Sequence, residues 1–80
     1  MRLDKYLKVS RIIKRRTIAN EACDAGRIEL NGKAAKAGSE VKIGDIIGVR
    51  FGDKSYRYEI LDINEHAGKN DAAAMYKVVE

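Results

Sequence analysis

The feature that most constrains this chain is a change of hydrophobic period at Gly26. Upstream of it, apolar residues recur at helical spacing. Leu3 and Leu7 lie four apart with Tyr6 beside them, and Ile18, Ala19, Ala22 and Cys23 form one stripe. Downstream they alternate: Ile28 and Leu30 flank Glu29, Val41 and Ile43 follow, then Ile46, Ile47, Val49 and Phe51. Helices come first and strands after. The expected fold class is therefore α+β, with two N-terminal helices packed on a small, mostly antiparallel twisted sheet.

The spacing predicts a first helix over residues 3–9, with Asp4 in its first turn, where the helix dipole favours a carboxylate. Residues 11–14 make a corner that turns Ile12 and Ile13 inward, and Ser10 is placed to cap the turn that follows. A second helix spans about 15–25 and ends at Gly26. Leu3, Leu7 and Ile18 are all assigned to the core. Segments 27–30 and 33–35 form a short hairpin across Asn31-Gly32. Gly44-Asp45 and Gly52-Asp53 are further turns, and the strand before Gly52 pairs with residues 55–61. Residues 64–71 read as a mobile polar loop, and 72–79 as either a final strand or a frayed helix.

Eighty residues make a single domain, 1–80, that buries roughly 60% of the surface its unfolded chain exposes. That allows one small core and no cleft walled by two subdomains. A single Cys and a single His support neither an internal disulfide nor a zinc site, so a cytoplasmic setting is expected. No apolar run approaches the length that spans a bilayer, and no secretory h-region is present, so no membrane partner is expected.

Charge is the one concentrated chemistry. Residues 1–16 carry seven basic side chains against one acid, while residues 17–80 carry nine basic and eleven acidic ones. Arg2, Lys5, Lys8, Arg11, Lys14, Arg15 and Arg16 can form a positive surface across two helices and their corner. A charged helix face is ordinarily only a solvated face, but seven bases against one acid exceed that pattern. Guanidinium forks suit phosphate oxygens, and the start of the second helix adds backbone N–H donors. Arg27, and Lys33 and Lys36 flanking the first hairpin, extend the candidate RNA-binding set. Lys42, Arg50, Lys54, Arg57, Lys69 and Lys77 alternate with acids and read as ordinary surface. Asp4 is expected to pair with an arginine of the corner and orient it. Tyr6 could stack on a base, but a place in the helix–sheet seam is favoured.

No catalytic arrangement is found. There is no phosphate loop ending in Lys-Ser/Thr. The isolated Asp residues lack acid–base partners at usable spacing, and His66 stands alone in a polar stretch. Cys23 lies on the buried stripe and reads as a small core residue. No enzyme activity, metal or cofactor is expected.

The pattern Arg2-Leu3-Asp4-Lys5-Tyr6-Leu7, Arg11, Arg15-Arg16-Thr17, Ala25-Gly26-Arg27-Ile28, Asn31-Gly32 and Gly44-Asp45 resembles the RNA-binding domain named after small-subunit ribosomal protein four, also called the alpha-L motif. The resemblance spans about residues 1–50, taken as the RNA-binding core, with a hairpin and C-terminal extension over about 51–80. Appended copies of this domain serve pseudouridine synthases and tyrosyl-tRNA synthetases, whose catalytic domains are absent here. Lys8–Thr17, Val49-Arg50-Phe51-Gly52 and Ala73-Ala74-Met75-Tyr76 carry the likeness further, to the stand-alone RqcP group of Gram-positive bacteria.

That resemblance implies a monomeric, cytoplasmic, ribosome-associated factor of protein biosynthesis. It would bind the large ribosomal subunit obstructed by peptidyl-tRNA and contact large-subunit rRNA and the tRNA in the P site. It would assist the partner RqcH in C-terminal alanine tailing of stalled chains. The key arginines of the family match Arg2 and Arg16. One alternative is the heat-shock-type rRNA-binding factors of Gram-negative bacteria, which share a recycling context; the end of this chain at Glu80, short of their C-terminal extension, favours RqcP. Another is a detached domain of an rRNA-modifying enzyme. A DNA-binding regulator is disfavoured because a helix-turn-helix reader normally works as a dimer and no dimerisation element is evident.

Overall fold

The structure, a computed structural model, describes residues 1–79. Helices α1 (Leu3–Val9) and α2 (Arg16–Asp24) precede strands β1 (Ile28–Leu30), β2 (Lys33–Ala34), β3 (Ile46–Phe51) and β4 (Lys54–Ile60). A helical turn, α3 (Lys69–Ala72), and a last strand, β5 (Tyr76–Val79), complete the order. The five strands form one sheet in the order β2-β1-β3-β4-β5, antiparallel at every pairing. The α+β architecture read from the change of period is the one observed.

Local chemistry explains the turns. Asn31 and Gly32 both have positive φ, 54° and 82°, as the tightest hairpin turn requires. Asn31 does more than turn the chain. Its side-chain oxygen accepts from the Ile46 N–H at 2.9 Å, and its amide donates to Asp45 at 3.1 Å. The first hairpin is thereby tied to the start of β3. Asp45 in turn accepts from the Lys42 N–H at 2.9 Å, closing the loop that enters the strand.

The core lies between the helices and one face of the sheet. Leu3, Tyr6, Leu7, Ile28, Ile47, Val49, Ile60 and Met75 are all fully or almost fully buried. No side chain caps α1. Instead the loop over residues 37–39 serves its free first-turn donors: Leu3 N–H reaches the Ser39 carbonyl at 2.7 Å and Asp4 N–H the Ala37 carbonyl at 3.1 Å. The Tyr6 hydroxyl donates to the Met75 carbonyl at 2.9 Å, so Tyr6 occupies the seam and ties α1 to the chain just before β5.

Four expectations are corrected. Ile18 is 45% exposed; α2 buries Ala19, Ala22 and Cys23, and its buried arc is too narrow to take in the larger side chain. Ile43 also points outward, while Val41 is buried, so the alternation there does not belong to a strand. Ser10 ends α1 rather than starting a turn, its hydroxyl donating back to the Leu7 carbonyl at 3.3 Å. The polar stretch 64–71 is partly helical, because Lys69–Ala72 form a turn that seats Ala72 in the interior. The open choice for residues 72–79 resolves as strand from Tyr76, with Tyr76 opposite Ile60 and Val78 opposite Tyr58.

Candidate nucleic-acid interface

The centre of the basic surface is the one acid of the N-terminal segment. Asp4 is 2% exposed. Its carboxylate accepts from the Arg2 guanidinium (Nε at 3.3 Å and Nη2 at 3.4 Å), Arg16 Nε at 3.3 Å, the Asn20 amide at 3.3 Å and the Lys5 N–H at 2.9 Å. A buried carboxylate needs such donors to remain ionised. Burial alone would raise its pKa, but the hydrogen bonds from Arg16, Asn20 and the Lys5 N–H, with the Arg16 charge, hold it below its ordinary value. The sequence reading assigned Asp4 an arginine of the corner. The structure assigns it Arg2 and Arg16 instead, since the corner points Arg11 away.

Both arginines remain about half-exposed, so their outward N–H groups face solvent. They line one cleft with Asp4, Thr17, Asn20 and Glu21. The cleft opens over the start of α2, whose N-cap residue Arg15 has extended backbone and offers no side-chain cap. First-turn N–H donors without side-chain partners, beside two guanidinium groups, form an arrangement suited to a phosphate oxygen. Gly38 sits against Arg2: a Cβ there would lie 3.9 Å from Arg2 Nη2. An adjoining cleft runs from Arg2 and Asn20 past Gly26 to Lys36.

A second cationic group lies at the end of α1. Lys8, Arg11 and Lys14 line a cleft with Glu65 and Ala67. Arg11 holds φ at 63°, a left-handed backbone that costs a side-chain-bearing residue about 1–2 kcal/mol. That conformation makes the sharp corner between the helices. Lys5 is half-buried and pairs with Glu65 at 3.3 Å, so it belongs less to the open surface than its neighbours do.

The remaining sequence candidates separate. Arg15 and Lys33 are exposed, on the N-cap of α2 and on β2. Arg27 is turned to the far end of α2 and lines a cleft with Arg50. Sequence reasoning passed over Arg50 as ordinary surface; only the strand pairing, with Arg50 N–H bonded to the Arg27 carbonyl at 2.9 Å, brings the two together. Cys23 is buried, and burial, with the charges of Asp4 and Asp24, pushes its thiol up to about 11, which makes it a poor nucleophile near neutrality. Among the described residues no group of three or more His, Cys, Asp or Glu could hold a metal ion, and no helix is long and apolar enough to cross a membrane.

Known proteins share the sequence and fold of this chain. The family model of the S4 domain matches residues 1–47. A Bacillus subtilis protein named RQC P-site tRNA stabilizing factor is 51% identical over all of this chain and 93% of its own length. A protein of the same name from Halalkalibacterium halodurans is 54% identical over 98% of this chain and 89% of its own. Among solved structures, the trimeric Vibrio cholerae Heat Shock Protein 15 superposes with a TM-score of 0.89 at 31% identity, covering 99% of this chain and 81% of that one. A basic two-helix face built around Asp4, the Asn-Gly hairpin tied to the Gly-Asp turn, and these near full-length likenesses lead to one conclusion: the chain belongs to the S4 domain family, in the group of the RQC P-site tRNA stabilizing factors.

Proposed function

We propose that this protein is an RNA-binding factor of ribosome-associated quality control. It binds the large ribosomal subunit obstructed by peptidyl-tRNA, contacts large-subunit rRNA and the P-site tRNA, and assists RqcH in alanine tailing. It performs no chemistry of its own and works in the cytoplasm as a ribosome-associated monomer. The observation that carries the reading is the Asp4-centred pair of Arg2 and Arg16 over an uncapped helix start. The names of its 51–54% identical relatives supply the context.

The mechanism follows from the two cationic groups. The Arg2–Arg16 cleft takes one phosphate backbone, and the Lys8-Arg11-Lys14 cleft takes another; Arg15, Lys33 and Lys36 add exposed charge, and Lys5 and Arg27 lie at the margins. Structured RNA is read largely by shape and backbone, so a rigid domain holding two such sites can fix a tRNA against rRNA without base-specific contacts.

Joint replacement of Arg2 and Arg16 by glutamine tests the reading. Both side chains are half-exposed and each glutamine amide keeps an N–H donor for the buried Asp4, so the variant is expected to fold, as judged by its circular dichroism. Loss of co-sedimentation with purified large subunits carrying peptidyl-tRNA supports the assignment; undiminished co-sedimentation refutes it. Affinity of the wild type is expected to fall with salt, with a log–log slope of roughly −0.7 to −0.9 per phosphate engaged. The likeness to Heat Shock Protein 15 favours a second reading, a heat-shock-type ribosome-recycling factor. A reconstituted tailing reaction separates the two: only the first requires that RqcH-dependent alanine addition fall when this protein is omitted.

A further inference from the structure

The helix-side face of the sheet is not wholly covered. Strand pairing sets Val49 opposite Tyr56, Phe51 opposite Lys54, and Tyr58 opposite Val78. Alternate residues of a strand share a face, so Phe51, Lys54, Tyr56 and Val78 continue the face that buries Ile47 and Val49. Towards the β3–β4 turn the helices run out. Phe51 is left 46% exposed, Tyr56 38% and Val78 61%. Ile18, the residue of α2 that does not reach the core, lines one cleft with Phe51, Arg27 and Glu21.

The rim of this strip is cationic. Lys54 stands beside Phe51 on the same face, and Arg27 lines both this cleft and the neighbouring one with Arg50. Two exposed rings with two cations beside them, Lys54 and Arg27, suit unpaired nucleotides, while Arg50 alternates to the other face of β3. Each base offers a face to stack and a phosphate to hold, whereas a purely aliphatic protein partner would leave the cations without counterparts. Glu21 lines this cleft and also the Arg2–Arg16 cleft, so the two sites adjoin across α2.

We infer that the Phe51–Tyr56 strip binds unpaired nucleotides that flank an RNA helix held at Arg2 and Arg16. The inference rests on the RNA-binding reading for its class of ligand. It adds a stacking site that neither the basic cluster nor the family match over residues 1–47 contains. On this arrangement the protein recognises the junction between a helix and a single strand rather than a helix alone.

The test compares two labelled hairpin RNAs of one sequence, one blunt and one with a five-uridine overhang, by fluorescence anisotropy at fixed salt. The overhang is expected to tighten binding to the wild type by about ten-fold, the low end of the range for stacked bases. Phe51→Leu and Tyr56→Leu keep apolar area but lose the ring. They should abolish that gain and leave the blunt hairpin unchanged, while Phe51→Tyr should retain it. In the wild type, aromatic and Ile18 methyl NMR signals should shift only with the overhang RNA. Equal affinity for both hairpins overturns the inference and leaves the basic-patch reading intact. Failure to bind either hairpin overturns both. An overhang gain that survives Phe51→Leu, or Phe51-dependent self-association in sedimentation, shows an apolar contact of another kind and also overturns it.

Discussion

Asp4→Asn is the perturbation that most directly tests how the basic surface is built. The change is isosteric and removes one negative charge, raising the formal net charge from +4 to +5. In the native protein the carboxylate is buried but its two arginine partners are half-exposed, and their contacts, at 3.3–3.4 Å, are long. Solvent screening holds each pair to about 0.5 kcal/mol. The Asn20 hydrogen bond, long at 3.3 Å, adds about 1 kcal/mol, below the usual range for a charged acceptor. The Lys5 N–H bond at 2.9 Å survives, since the new amide keeps one oxygen. The expected loss is therefore about 2 kcal/mol, which for a domain of this size lowers Tm by roughly 8–16 °C.

The pH dependence gives the sign. The folded Asp4 pKa lies below its ordinary 3.8, so its contribution is complete above that pH and is lost as pH falls through the folded value. Wild type and variant should differ most at neutral pH and converge in acid, as measured by urea unfolding from pH 7 to pH 2. A difference that persists unchanged into acid refutes the role given to the carboxylate. RNA affinity supplies an independent check. If net charge alone governed binding, Asp4→Asn would bind more tightly. If the carboxylate orients the two guanidinium groups, binding weakens by about ten-fold despite the added charge, because two long side chains must then be ordered on contact.

Two further substitutions separate stability from binding. Tyr6→Phe removes the hydroxyl bonded to the Met75 carbonyl, but that carbonyl also accepts from the Leu61 and Asp62 N–H groups at 2.7 and 3.1 Å, so the cost is held to about 1 kcal/mol. Tyr6→Ala opens the core and should cost about 3–5 kcal/mol in the same denaturant titration. Arg11→Gly relieves the left-handed backbone at φ 63° and should gain about 0.5–1 kcal/mol in thermal unfolding, while reducing the salt slope of RNA binding by about one phosphate. No gain in stability would refute the strain assigned to the corner, and an unchanged salt slope would show that Arg11 does not meet a phosphate.

What was legible in the sequence followed from period and turn chemistry. Leu3, Tyr6 and Leu7 marked α1, Asn31-Gly32 marked the first hairpin, and the density of bases before residue 17 marked the surface to which Arg2 and Arg16 belong. What was not legible depended on register and on approach between distant segments. Nothing in the spacing of Ile18 distinguishes it from Ala19 and Ala22; only the narrow arc by which α2 meets the sheet leaves it outside. Arg50 alternates with neighbours of mixed charge, and its place beside Arg27 comes from β1–β3 pairing. The arginine partners of Asp4 lie two and twelve residues away, and choosing among the seven arginines and lysines of residues 1–16 required the crossing of α1 and α2.

The division of the chain into an RNA-binding core and an extension is where sequence likeness and packing part. The family match ends at residue 47, yet the core does not. Ile60 and Met75 are fully buried against the same cluster as Leu3, Tyr6 and Leu7, and every residue of β3 pairs with β4. Burying side chains of this size contributes about 1.5–3 kcal/mol each, while an 80-residue domain has a total stability of only about 4–12 kcal/mol. Removing residues 53–80 takes away both side chains, one of the two strands paired with β3 and the anchor of the Tyr6 hydroxyl. A fragment of residues 1–52 is therefore expected to be unfolded, with a collapsed amide spectrum and no cooperative thermal transition, and to lose shape-dependent RNA binding while keeping all seven N-terminal bases. A dispersed NMR spectrum for that fragment would show that the basic helices are held by the first fifty residues alone. Otherwise the orientation of Arg2 and Arg16 depends on strands that contribute no charge to the surface they support.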